Sequence, residues 1–548
     1  MKKHYLVSIF TVLVTLVSAS GCVPKDVFMN SQSNDNNELS SNTVELSSGT
    51  EEHISEVPDV TDKITIDEIR SHAERLIEDT KISGNENALK EDIDILIEDI
   101  NKASEISAYC NVAYYCDWLN EELESKYYES FETYYVGAEL AMYAFSNAYC
   151  VEEYSELFKD FIREDYLDYY TDRAMSMKRV EGYSKVDCAL SNELIDNYYD
   201  VINSDDSDKD KNLKAAEIYL EILKDYSTDS FYDSFNRDFT PDEILKLCAI
   251  IQDKIVPLNE TMMNNIWNIP ETYEVFDDPV TFDDPFKVIA AFGDDISEDI
   301  GKSAMNLIKS KNYYIKTGDE CYNGSFTIDL PASNDAIIYI HDDEDYYNLL
   351  TPIHEFGHYY ASFYDDTPDY LIENNIDIAE IQSQGMEMLF MNFYDDIYSK
   401  QSDAMKALKI YDIINSVTSG FAIGEFEYTA LERLNELTPE TLIKLFDETL
   451  AKYNIEYNLY EVNHIFEQPA YYISYGVSAL AAIDIWRISE DDYDKAVEMY
   501  DKISHVKSNS DESQFMSALE KCGFSNVLTE EYIKQIASSL SEYIKSIT

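Results

Sequence analysis

The sequence predicts a mainly α-helical protein that is interrupted once by a small β-sheet. Three observations carry this expectation. Apolar residues recur at helical spacing along most of the chain, only 15 Gly and 12 Pro punctuate its 548 residues, and one short region alternates instead. Ile66, Ile69, Ala73, Leu76 and Ile77 fall on one helical face, as do Leu89, Ile93, Leu96, Ile97 and Ile100. So few breakers fit long helices joined by short connections, with a loop expected at Asn203–Asp210. In the exceptional region Ser325–Leu330 alternates and Ala336–Ile340 is a short β-branched run.

Taken from the start, Lys2 and Lys3 precede a mostly apolar stretch, Tyr5–Val17, and then the small residues Ala19-Ser20-Gly21 and Cys22. That order is the order of an export signal, and the apolar part is too short to span a bilayer. A cysteine directly after Ser-Gly resembles the bacterial lipoprotein signal, in which the cysteine is acylated. Residues 1–21 are therefore expected to be a lipoprotein-type signal peptide and Cys22 the lipidation site. The protein would sit lipid-anchored on the outer face of the bacterial cell membrane; an ordinary cleaved signal and secretion is the alternative. Residues 22–60, rich in Ser, Asn, Glu and Asp, cannot bury enough apolar surface to offset their ordering entropy, and they read as a flexible polar tether. An N-terminal helical lobe over 61–300 and a catalytic domain over 301–548 follow.

With 41 basic against 108 acidic residues and a formal charge of −67, the chain repels phosphate backbones, which excludes nucleic acid as a partner. Beyond Cys22 the cysteines are sparse, with no CxxC pair or zinc-ribbon spacing.

The sharpest motif is His354-Glu355-Phe356-Gly357-His358. Residues four apart share a helix face, so both imidazoles can reach one Zn2+ ion, and Glu355 is placed to take a proton from the attacking water. A third ligand is needed. Glu380 lies on a second helical segment, Asp377–Leu389, where Glu380, Ser383, Gln384 and Glu387 share a polar face. Such a stripe is ordinarily a solvated surface. Packed against the first helix, it would instead supply Glu380 as ligand and Glu387 as the group that orients a histidine.

Four stretches together resemble the M3 metallopeptidases, the family of oligoendopeptidase F. Thr351–His358 is similar to that family's zinc helix and Ala379–Glu387 to its third-ligand helix. Ile423–Glu427 with Leu437–Glu440 resembles a framework stretch, and His464–Tyr475 its C-terminal His-and-Tyr stretch. The resemblance spans about residues 325 to 490. It implies a two-lobed helical body of gluzincin type with a deep channel admitting short peptides, and the small sheet just before the zinc-binding helix. It implies that His464, Tyr472 and Tyr475 contact the transition state, where negative charge grows on the carbonyl oxygen, and that Tyr471 is structural. It also implies that Ala336–Ile340 is an edge strand pairing with the substrate backbone. The expected activity is zinc endopeptidase cleavage of short oligopeptides. A peptide-binding lipoprotein without catalysis, or a metalloprotease acting on folded surface proteins, are the alternatives.

Overall fold

The computed structural model describes residues 63–162, 194–508 and 513–547, less residues 196, 205, 319, 344, 366, 368 and 372–374, together with residues 167 and 171. The expected signal segment, Cys22 and the tether lie outside the described residues. The body is helical, as the periodicity predicts. Three helices, α1 (Ile66–Asp79), α2 (Glu86–Cys116) and α3 (Glu121–Tyr149), pack together around Ile69, Ala73, Leu76, Leu89, Leu96 and Ile100. Thr65 starts α1 with a reciprocal cap to Glu68, satisfying N–H groups that the first turn leaves open. The helix after the expected 203–210 loop begins at Asp208, capped by Ser207.

A second, larger apolar cluster gathers residues from Tyr198 to Ile544. The division expected after residue 300 falls inside the helix Glu298–Ser310, whose Ile300, Ala304 and Leu307 all belong to this larger cluster.

The sheet has three strands, β1 (Tyr313–Lys316), β2 (Phe326–Leu330) and β3 (Asp335–His341), in the order β1-β3-β2. β2 and β3, the two segments expected to form a small sheet, pair antiparallel, with Thr327 opposite Ile338. β1, which lacks a legible alternating pattern, pairs parallel to β3, with Tyr313 opposite Ile338. This corrects the edge-strand expectation: Ala336–Ile340 lies in the central strand, paired with β1 along one edge over 338–341 and with β2 along the other over 335–339. Burial explains the difference, because a strand covered on both edges and faces is apolar in its interior, as β3 is over Ala336–Ile340.

Five further helices carry the site: α4 (Leu350–Tyr364), α5 (Ile376–Phe390), α6 (Ser402–Glu432), the single turn α7 (His464–Glu467) and α8 (Ile473–Ser489). α4 packs on β3 and α5, α5 on α8, and α6 on α8. α4 and α5 approach closely because Gly357 has no side chain. A methyl there would lie 2.5 Å from the Gln382 carbonyl oxygen and 2.6 Å from Ser383 Cα. Among the described residues, no helix is long and apolar enough to cross a membrane.

Candidate metal centre

α4 presents His354 and His358 one turn apart, with ring centroids 5.2 Å from each other. Across the close α4–α5 contact, Glu380 comes to the same point. One ligand atom from each of His354, His358 and Glu380 lies within 4.8 Å of the others. Glu380 Oε2 is 3.7 Å from His354 Nε2. The polar stripe of α5 is thus an interior one, with Glu380, Ser383, Gln384 and Glu387 all buried.

Three atoms around this point have no hydrogen-bond partner: His354 Nε2, His358 Nε2 and Glu355 Oε1. Leaving such groups unsatisfied is costly, and convergence of the two ring nitrogens on a carboxylate is the donor set of a divalent metal site with zinc-type chemistry. The residues fit an ion. Their neighbours orient them. His354 Nδ1 lies 2.9 Å from Glu387 Oε1, so the ring donates its Nδ1 proton there and turns Nε2 toward Glu380 and His358. Glu387 is in turn bonded by the buried ammonium of Lys409 from α6. Ser383 Oγ and Tyr471 Oη donate to Glu380 at 3.3 and 3.2 Å. Thr327 Oγ1 on β2 reaches the general-base candidate, 2.9 Å from Glu355 Oε2 and 3.0 Å from its carbonyl oxygen.

Electrostatics follow from this packing. Burial alone would depress His354, but the bond to Glu387, the Glu387 charge and those of Glu380 and Glu355 outweigh it and push the ring up to about 9. Burial raises both Glu355 and Glu380 to about 7. Burial, then the charge of His354, holds His358 well below the usual imidazole range. Burial also works to raise Glu387, yet Lys409 and His354 keep it below the ordinary carboxylate value.

The His-and-Tyr stretch closes the other side. His464, Tyr471, Tyr472 and Tyr475 form one ring cluster, with His464 centroids 4.7, 5.6 and 6.1 Å from the three tyrosines in that order. His464 Nε2 lies 3.3 Å from Tyr475 Oη, and His464 Nδ1 lies 3.0 Å from Glu467 Oε2. Tyr199, from the N-terminal half, donates to the other oxygen of Glu467. Tyr472 caps the start of α8 in helical conformation and Tyr475 lies in its first turn, with their ring centroids 5.7 Å apart. Sequence reasoning missed Thr327, Lys409, Glu467 and the contact of Tyr471 with Glu380. Only Glu467, a carboxylate three residues after a histidine, left any local signal.

In the metal-free protein, stability is expected to fall as the pH rises. Burial lifts Glu355, Glu380 and Asp412 to about 7 and Glu427 to about 8. The folded chain therefore holds these protons more tightly than the unfolded chain does. Their contribution is complete below the ordinary carboxylate range and is lost as pH climbs through the folded values. His354 acts with the same sign, complete below 6.5 and lost through about 9, while His358, held low, acts oppositely as pH rises through 6.5 and offsets one of these five groups. The melting temperature of chelator-treated protein should be higher at about pH 5.5 than at about pH 8.5, and Glu427→Gln should flatten the slope. A melting temperature that rises across that interval contradicts the assignment.

No family model matches this chain, nor does any curated protein sequence. Its fold is shared with solved peptidase structures. An X-ray structure provisionally named oligoendopeptidase F superposes with a TM-score of 0.68 at 13% identity, over 90% of this chain and 97% of that one. PZ peptidase A with an inhibitor gives 0.65 at 13% identity, over 90% and 98%. A protein from Bacillus anthracis, also provisionally named oligoendopeptidase F, gives 0.64 at 12% identity, over 88% and 97%. At these identities the likeness is one of fold. The chain has the helical fold of this group of peptidases, around a His-His-Glu group suited to a metal.

Proposed function

We propose that the protein is a zinc-dependent endopeptidase that hydrolyses short oligopeptides. The observation carrying this reading is the convergence of His354, His358 and Glu380, with the buried Glu355 carboxyl beside them. These three residues would hold one Zn2+. A bound ion supplies an electrophile that makes a water molecule acidic and polarises the peptide carbonyl. Glu355, with a proton affinity near neutrality, is matched to accepting the proton of the attacking water and passing it to the leaving amine. Thr327 fixes the carboxyl for that exchange. Tyr475 and Tyr472 are the donors for the carbonyl oxygen as it gains charge, the Tyr475 hydroxyl exchanging its contact with His464 Nε2, a ring that Glu467 orients through Nδ1, for the substrate oxygen.

With β3 enclosed, the substrate backbone would pair with the outer edge of β2, the strand that also carries Thr327. The shared fold with solved peptidases supports peptides as substrates. A two-lobed body with a deep channel would limit them to short ones. Export, with a lipid on Cys22 holding the enzyme at the outer face of the membrane, completes the proposal; labelling with a fatty-acid analogue, lost on Cys22→Ser, checks it. The test of activity is incubation with labelled peptides of graded length, with and without a chelator. Chelator-sensitive cleavage confined to short peptides is expected. Retention of peptide without cleavage would favour a binding lipoprotein, and efficient cutting of folded proteins would favour a surface protease.

A further inference from the structure

Arg237 stands outside the site, yet it grips two of the segments that build it. Its side chain is wholly buried, with the guanidinium carbon 4.5, 4.3 and 5.4 Å from the ring centroids of Tyr232, Phe235 and Phe239. Nε and Nη2 donate to the two carboxylate oxygens of Asp377 at 2.7 and 2.9 Å. Asp377 lies in the first turn of α5, three residues before Glu380. Nη1 donates to the Ala470 carbonyl at 3.0 Å, and Nη2 also reaches Ser474 Oγ at 2.8 Å.

Ala470 is held from its other side as well. The buried carboxyl group of Glu427, on α6, accepts the Ala470 N–H at 2.9 Å through Oε1. Ala470 has φ +73°, the left-handed region that a Cβ-bearing residue adopts only when its surroundings impose it. The next residue is Tyr471, whose hydroxyl is 3.2 Å from Glu380, and Tyr472 and Tyr475 follow.

We propose that Arg237 and Glu427 are positioning residues: by gripping the two peptide groups that flank the Ala470 Cα, they hold the tyrosine segment in register with the third-ligand helix. Buried ion pairs are often replaceable by apolar groups without loss of stability, so stability alone gives no reason for this arrangement. A planar fork that bonds Asp377, Ala470 and Ser474 at once fixes one segment against another, which a lysine at the same place would not do. The proposal rests on the metal-site reading given above.

Arg237→Lys keeps the charge and loses the fork. It should lower kcat by about 10-fold to 100-fold with little change in KM, since small misplacements near reacting groups cost rates of that order. The visible absorption of the Co2+-loaded protein, which reports ligand geometry without any turnover, should shift as well. Leu442→Ala, in the buried face of the helix Pro439–Leu450, serves as the control: it lowers the melting temperature and should leave kcat and the cobalt spectrum unchanged. If Arg237→Lys does not fold, Ser474→Ala removes one partner of the same guanidinium and is read in the same way. Wild-type kcat and an unshifted cobalt spectrum in the folded variant overturn the proposal. A wild-type protein that cuts no peptide sinks the peptidase reading alone, and the cobalt spectrum then decides this one.

Discussion

Glu355→Gln is expected to retain its metal ion and to lose peptide hydrolysis, with kcat down by about 10²-fold to 10⁴-fold, the usual share of a positioned base. The substitution is nearly isosteric, and Thr327 can still donate to the amide oxygen, so the packing beneath the site survives. Metal content should not change, because the proposed ligand trio, His354, His358 and Glu380, is untouched. What disappears is the capacity to take up a proton, which burial tunes to about 7 in the native carboxyl. His358→Ala is the contrast. It removes a ring nitrogen from the trio, so metal content and turnover should fall together. Full activity in Glu355→Gln would refute its role as base, and unchanged metal content in His358→Ala would move the site elsewhere.

Lys409→Met is expected to weaken metal binding by about 10-fold to 100-fold, acting through Glu387 behind His354, because partners behind a ligand commonly matter on that scale. Lys409 and Glu387 are both buried, with 8% and 5% of their side chains exposed. Removing the ammonium strands a carboxylate in the interior, a loss of about 3–5 kcal/mol if it stays ionised. It escapes that cost by taking up a proton, since Lys409 supplies the strongest of the forces keeping its pKa low. A protonated Glu387 is a poor acceptor for His354 Nδ1, and the ring then loses what fixes its orientation. Competition against a fluorescent chelator measures the affinity. Pairing Lys409→Met with Glu387→Gln should recover part of the stability, because no charge is then left alone. Wild-type affinity and melting temperature in the single variant would remove Lys409 from the account.

The parts of this architecture that could be read from sequence are those with a local signature. Histidines four apart declare a helix face, and the alternation over Ser325–Leu330 declares a strand. Glu380 was legible because the glutamates and polar residues of α5 recur on one face, although only the structure shows that face to be interior. The supporting residues are different in kind. Lys409 meets Glu387 across 22 positions, Thr327 meets Glu355 across 28, and Arg237 meets Asp377 across 140. Each is one ordinary polar residue in its own segment, and acquires meaning only when helices are packed. β1 was invisible for a related reason, since four residues beside a buried parallel partner carry no period of their own. The central place of β3 could not be deduced without β1.

The unpartnered ring nitrogens of α4 bear on how long a molecule survives as well as on what it does. An ion that binds the native chain and not the unfolded one shifts the folding equilibrium by mass action, adding about 1.4 kcal/mol for each decade of free concentration above its dissociation constant. Durability is then set partly by the surrounding medium. If the proposed site takes an ion, the chain would open and be degraded sooner where free ions are scarce, and persist where they are plentiful.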